Sequence, residues 1–206
     1  MRENPYLRYF IGFLVTIGLI ILLIVLLFTG GGNKNNNNQP STSSRPKTVD
    51  ELAAYASTDA VVRLTIDGPI VADQNHQAVQ VTVGQDDVTY SQVQGYQGTV
   101  ANQQSFVNNQ NAYSNLLYAL GHAGFLKGDS SKALANEKGY CPTGNRYVFE
   151  LIEDGQDVQR YWATSCGGTP KTYKGNLNLT LTLFQAQVPN YNQLTQNLNL
   201  NTGSLF

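Results

Sequence analysis

"AVVRLTIDGPIVADQNHQAVQVTVGQDDVTYSQV" (residues 60–93) decides the fold class of this chain. Val79, Val81 and Val83 alternate with Gln80 and Thr82. That period of two places apolar side chains on one side of a strand and polar ones on the other. Two turn-forming clusters interrupt it: Asp-Gln-Asn-His at 73–76 and Gly-Gln-Asp-Asp at 84–87. The pattern predicts three antiparallel strands, at 60–72, 77–84 and 87–93.

The flanking sequence changes period. Upstream, Thr48 followed three residues later by Glu51 is a capping-box pattern, and Val49, Leu52, Tyr55 and Ala56 share a helical face. A short helix is expected at 49–57. Downstream, Phe106, Tyr113, Leu116, Leu117 and Leu120 recur at helical spacing, and Gly124-Phe125 suits a left-handed stop with a hydrophobic contact back to the last turn. They predict a helix at 103–122. "RYVFELIEDGQDVQRYWATS" (146–165) reads as a hairpin turning at Asp154-Gly155. "NLNLTLTLF" (176–184) alternates like a strand. It also carries a helical stripe through Leu177, Leu181, Phe184 and Val188, stopping before Pro189, and helix is preferred. The expected fold is α+β: an antiparallel sheet of about five strands with helices packed on one face.

Residues 9–28, "YFIGFLVTIGLIILLIVLLF", carry no charge. About 20 apolar helical residues cross a ~30 Å hydrocarbon core. The run exceeds the ~7–15 residues of a secretory signal and lacks a small-x-small cleavage site, so an uncleaved signal anchor is expected. Arg2 and Arg8 lie close to one end of it, while Lys34, Arg45 and Lys47 are spread out beyond the other. That asymmetry favours an N-terminus on the cytoplasmic side. The Gly-, Asn-, Ser- and Pro-rich stretch that follows has nothing to bury and reads as a tether. The resulting organisation is a cytoplasmic tail (1–8), a single transmembrane helix (9–28), a linker (29–47) and an extracytoplasmic domain (48–206) at the plasma membrane. Only 13% of the 206 residues are charged and the net charge is −1, which gives no electrostatic footprint for nucleic acid.

The chain has two cysteines, Cys141 and Cys166, with no C-x-x-C and no neighbouring histidine. Zinc needs about four ligands at short characteristic spacings. Two thiols and the distant His76 and His122 do not supply them. A hairpin turning at Asp154-Gly155 sets the cysteines at its open end. A turn sum of 309 or 311 puts Tyr147, Phe149 and Leu151 on one face with Val158, Trp162 and Cys166. A disulfide between Cys141 and Cys166 is therefore expected, consistent with an oxidising compartment.

No nucleophile elbow, phosphate-binding loop, dinucleotide fingerprint or zinc-protease motif occurs in the sequence. His76 is expected as a solvated turn residue and His122 as a cation near a helix C-terminus. Asp73, Asp86 and Asp87 are expected as solvated turn acids rather than calcium ligands, and Glu150, Glu153, Asp154 and Asp157 as hairpin acids rather than a glycosidase pair. Tyr90, Tyr96, Tyr113, Tyr140, Tyr161, Tyr173 and Tyr191, with Trp162, are expected mainly to complete the core. Their alternative use is a surface for glycans or peptides. No catalytic, cofactor or metal residue is assigned.

The stretches "VRLTIDGPIVAD", "GYQGTV", "GNRYVFELIEDGQDVQRYWATSCGG" and "LFQAQVPNY" give the chain a family likeness. It resembles single-pass membrane-anchored extracytoplasmic proteins of Saccharibacteria-type bacteria of the candidate phyla radiation. The resemblance implies an extracytoplasmic domain whose last segment is helical, and it carries no activity or substrate. The functional expectation is a non-catalytic, membrane-tethered domain that binds an envelope or host-surface partner. The alternatives are a cell-envelope hydrolase or carbohydrate-active enzyme, and a structural subunit of a surface assembly.

Overall fold

The computed structural model describes residues 49–200. The tail, the apolar run at 9–28 and the linker lie outside the described residues. Among those described, no helix is long and apolar enough to cross a membrane.

Six strands form one sheet: β1 (Val61–Asp67), β2 (Gln77–Val83), β3 (Asp87–Gln94), β4 (Thr99–Val107), β5 (Arg146–Glu153) and β6 (Gln156–Thr164). Every pairing is antiparallel and the order is β4-β3-β2-β1-β5-β6. The helices are α1 (Val49–Ala53), continued by a 3-10 turn over Ala54–Ser57, then α2 (Gln110–Ala123), α3 (Leu177–Gln185) and α4 (Tyr191–Thr195). The described residues form an α+β domain, as the change of period predicts.

Register fixes which side chains meet. Leu64 lies between Val81 and Phe149, and the row runs on to Tyr90 and Tyr161. Val62, Leu64, Ile66, Val79, Val81 and Val83 are at most 1% exposed and share one core cluster with Leu52, Tyr113, Leu117, Leu120, Leu181 and Phe184 of the helices. Burying that much apolar side chain against helices, at about 1.5–3 kcal/mol each, is the main force holding the layers together. Asn109 caps α2 by accepting from Ala112 N at 3.0 Å. Gly124 ends it in the left-handed region (φ 80°), and Phe125, fully buried, donates its N–H back to Leu120 O at 2.9 Å. Tyr113 reaches across from α2 to donate its hydroxyl to Ala60 O at 2.7 Å, tying the helix to the start of β1.

Several expectations need correction. The sheet has six strands rather than about five, because 103–107 belongs to β4 and α2 starts only at Gln110. Phe106 pairs with Val88 across β3–β4 instead of joining the helical stripe. Cross-strand partners override a weak helical period when a ready-made ladder lies alongside. Strand β1 ends at Asp67, before Gly68-Pro69, rather than running to 72. The preferred helix over the last ambiguous segment does form, as α3, with Asn176 as its cap accepting from Leu179 N at 3.1 Å and Leu181, Phe184 and Val188 buried.

The hairpin forms at Asp154-Gly155, both in the left-handed region (φ 53° and 72°). Its faces differ from the expected ones. The turn sum of 309 holds only for Glu153–Gln156 and Ile152–Asp157; then the register shifts and Leu151 pairs with Gln159. Val158 is the extra residue of a bulge, and beyond it odd positions face odd positions. Phe149 therefore sits with Tyr161 on the helix side, while Trp162 pairs with Val148 on the opposite face. Both are buried, but by different layers.

Candidate functional site

The sheet face without helices is divided in two. Over β5 and β6, the connection between α2 and β5 forms a cover. Trp162 Nε1 donates to Leu134 O at 2.8 Å, the Tyr140 ring lies 5.0 Å from the indole, and Arg160 bonds Glu137 at 2.7 Å. Over β1–β3 the described residues form no comparable cover over the polar rows, and a cleft of about 450 Å³ opens there. Thr65, Gln80 and Val93 of the strands form its floor, Ile70 and Tyr96 one wall, and Lys138 the facing rim.

Tyr96 is half exposed (50%) yet rigidly held. Its hydroxyl donates to Val71 O at 2.8 Å and accepts from Val71 N at 3.1 Å, and its own backbone N–H is held by Asp73 Oδ1 at 2.7 Å. One ring face stacks on His76, centroid to centroid 4.0 Å. His76 is only 3% exposed, with Nε2 at 2.9 Å from Asp67 Oδ1. The other Asp67 oxygen accepts from Arg146 Nε at 2.8 Å and lies 2.6 Å from Nη2, which also donates to Gly68 O. A chain of Arg146, Asp67 and His76, buried at both ends and partly open to water at the carboxylate, thus backs the exposed tyrosine.

The strand ladder explains this placement. Asp67 is the direct partner of Arg146 on β5, so the two opposite charges face each other at the end of the sheet. Arg146 is 2% exposed, and its Nη1 has no acceptor among the described residues. Both ring nitrogens of His76 are buried. A general acid or base must come within hydrogen-bond reach of a substrate proton, and this imidazole does not present a nitrogen to the cleft. The hydroxyl of Thr65, the amide of Gln80 and the ammonium of Lys138 do line it, and among the described residues they have no protein partner. Thr65 and Gln80 are direct cross-strand partners.

Beside the cleft runs a second charged row. Glu150 lies 3.8 Å from Arg63 and 3.4 Å from Arg160. Burial pushes its carboxyl above the ordinary glutamate range and Asp157 adds to the rise, while Arg160 and Arg63 pull it back.

Cys141 and Cys166 are bonded, with Cα atoms 5.6 Å apart. The bridge ties the loop carrying Glu137 and Lys138 to the end of β6. The same loop holds the far wall, since Pro142 O accepts from Ile70 N at 2.8 Å. The disulfide therefore braces both sides of the cleft. Gly144 packs directly beneath it: an added Cβ would lie 2.7 Å from Cys141 Sγ and 2.4 Å from Ser165 Oγ.

The other sequence candidates scatter. His122 is exposed in the last turn of α2, edge-on to Tyr118 at 4.6 Å. Asp86 is an exposed turn residue, Asp87 is exposed at the first position of β3, and Asp73 is spent on Tyr96 N. Glu153, Asp154 and Asp157 lie at the hairpin tip. Tyr90, Tyr113, Tyr161, Tyr173 and Tyr191 are buried in the core. The expectation for His76 is overturned, because its turn folds back onto the sheet end and Tyr96 covers the ring. Among the described residues no group of three or more His, Cys, Asp or Glu side chains is arranged to hold a metal ion. No sequence motif marks Asp67, Arg146, Thr65 or Gln80 as site residues. Alternation within β1 marks Thr65 and Asp67 as facing away from the core, but nothing local pairs Asp67 with a residue near 146. No protein-family model and no curated protein matches the chain.

Proposed function

We propose that this chain is a membrane-tethered, non-catalytic binding module that receives a saccharide of the cell envelope or of a host surface in the cleft beside Tyr96. The apolar run at 9–28 is the anchor, with the N-terminus cytoplasmic and the domain outside the membrane. The observation that carries the binding reading is the pinned, half-exposed Tyr96 ring in a cleft that the polar residues Thr65 and Gln80 also line. A ring held before the ligand arrives loses little entropy on binding. Its apolar face suits the C–H face of a sugar, while Thr65 and Gln80 supply neutral donors and acceptors for hydroxyl groups. The cleft lies within the usual ligand-pocket range of about 300–1,000 Å³. His76 serves as a backing stone for the tyrosine, which accounts for its burial without chemistry.

The test is nuclear magnetic resonance titration of the full chain in detergent micelles with an N-acetylglucosamine tetrasaccharide, cellotetraose and an uncharged tetrapeptide. Saccharide-dependent shifts at Thr65, Gln80 and Tyr96, lost in Tyr96→Ala, are expected. Shifts with the peptide alone, or with none of the three, would overturn the saccharide reading. Protease treatment of intact cells tests the topology separately: the domain is expected to be digested, and complete protection refutes an external location.

A further inference from the structure

The two edges of the sheet are treated differently. On β6 the outer backbone groups of Trp162 are taken: its N–H donates to Thr172 Oγ1 at 2.8 Å, and its carbonyl accepts from Thr172 N and Tyr173 N at 3.0 and 2.9 Å. On β4 the described residues make no such contact. The strand is nine residues long, and "TVANQQSFV" holds no charge and no proline. Residues 99–103, 105 and 107 are exposed, with Val107 at 96%. Natural sheets blunt an open edge with charge, proline, a cover or brevity. This edge has only the register shift beside Val93 near one end, which leaves 102–107 regular.

Ladder geometry identifies the free groups. Asn108 N donates to Asp86 O at 2.8 Å, so even-numbered residues of β4 turn their backbone groups toward β3. The N–H and C=O groups of Gln103, Ser105 and Val107 therefore point outward.

We infer that β4 is a self-association edge, on which a second copy of this chain pairs antiparallel about a two-fold axis at Ser105. That register sets Ser105 against Ser105 and Gln103 against Val107, both ways. It satisfies all three outward residues of each copy with about six backbone hydrogen bonds. It also covers the exposed Val107 with the stem of Gln103. An uncharged strand meets its own copy with no like-charge penalty. On β6 the segment at Thr172-Tyr173 already occupies the outward groups of Trp162 in the strand's second half, so the joined sheet has no matching free edge there and the two-fold contact closes a pair.

Opposed residues in a hydrogen-bonded antiparallel pair have Cα atoms about 5.5 Å apart, a separation a disulfide spans. Full-length Ser105→Cys, oxidised in membranes or micelles, is expected to give a covalent dimer, whereas Gln156→Cys on the opposite edge does not. Gln103→Pro removes an outward N–H and no bond to β3. It is expected to weaken dimerisation at least tenfold in sedimentation of the full chain, with an unchanged near-ultraviolet circular dichroism spectrum. Ser105→Lys, which sets two ammonium groups at the axis, should do the same. A chain monomeric at all concentrations, a Ser105→Cys crosslink within one chain or to another protein, or a dimer indifferent to Gln103→Pro and Ser105→Lys would each overturn the inference.

Discussion

Cutting the Asp67–Arg146 pair from its two ends should have unequal costs, because the two charges differ in their access to water. Arg146 is 2% exposed, whereas the Asp67 side chain keeps 24% of its surface. Asp67→Ala leaves a guanidinium buried without its carboxylate and strips His76 of its partner as well. Leaving one buried charge uncompensated costs about 3–5 kcal/mol. Arg146→Met leaves a carboxylate that water already reaches, so a loss of about 1–2 kcal/mol is expected, mainly for the lost hydrogen bonds. The double variant should cost about 2 kcal/mol less than the sum of the two. Urea unfolding followed by fluorescence of the single tryptophan, the buried Trp162, reads all three. With a denaturant slope of about 2 kcal/mol/M, Asp67→Ala should move the midpoint by roughly 2 M. Arg146→Met costing as much as Asp67→Ala, or a coupling below about 0.5 kcal/mol, would refute the claim that burial of Arg146 governs this network.

Three further outcomes are expected. Replacing both cysteines by serine should remove about 3 kcal/mol of stability by chain entropy, since the bridge closes a separation of 25 residues. It should also speed amide exchange at Lys138 and Gly139, and equal exchange rates would contradict its role as a brace for the cleft. Stability should fall in alkali: burial pushes the Tyr173 hydroxyl up to about 12, only partly offset by its bond to Thr180, and also raises Tyr113 and Tyr191. Their unfolded value is near 10, so the contribution is complete below about pH 10 and drains away as pH climbs toward 12, about 3 kcal/mol for Tyr173 alone. Urea midpoints that stay level from pH 9 to 11.5 would exclude this. Gly128→Ala should cost about 1–3 kcal/mol, read as a lower melting temperature, because the added Cβ would lie 2.5 Å from the Tyr161 ring.

Local chemistry accounts for much of what the sequence showed. The valine alternation at 79–83, the Gly124 stop, the Asp154-Gly155 turn and the stripe through Leu181, Phe184 and Val188 all act within a few residues, where backbone sterics and side-chain period suffice. The pairing of Cys141 with Cys166 was within reach because a single hairpin brings them together. At 103–107 a local helical period competes with a strand partner that only the folded sheet supplies, so α2 starts at Gln110.

What the sequence alone determined, then, is an α+β domain with a disulfide-closed hairpin, since each of those features follows from neighbours along the chain. Tertiary structure decided the faces and the site. A single bulge at Val158 moved Trp162 to the face opposite Phe149, because one inserted residue reverses the alternation of everything beyond it. The cleft needed Asp67, His76, Tyr96 and Arg146 brought to one end of the sheet. The β1–β5 ladder joins residues about 80 apart, and long-range register depends on the packing of the whole sheet, which no short window of sequence contains.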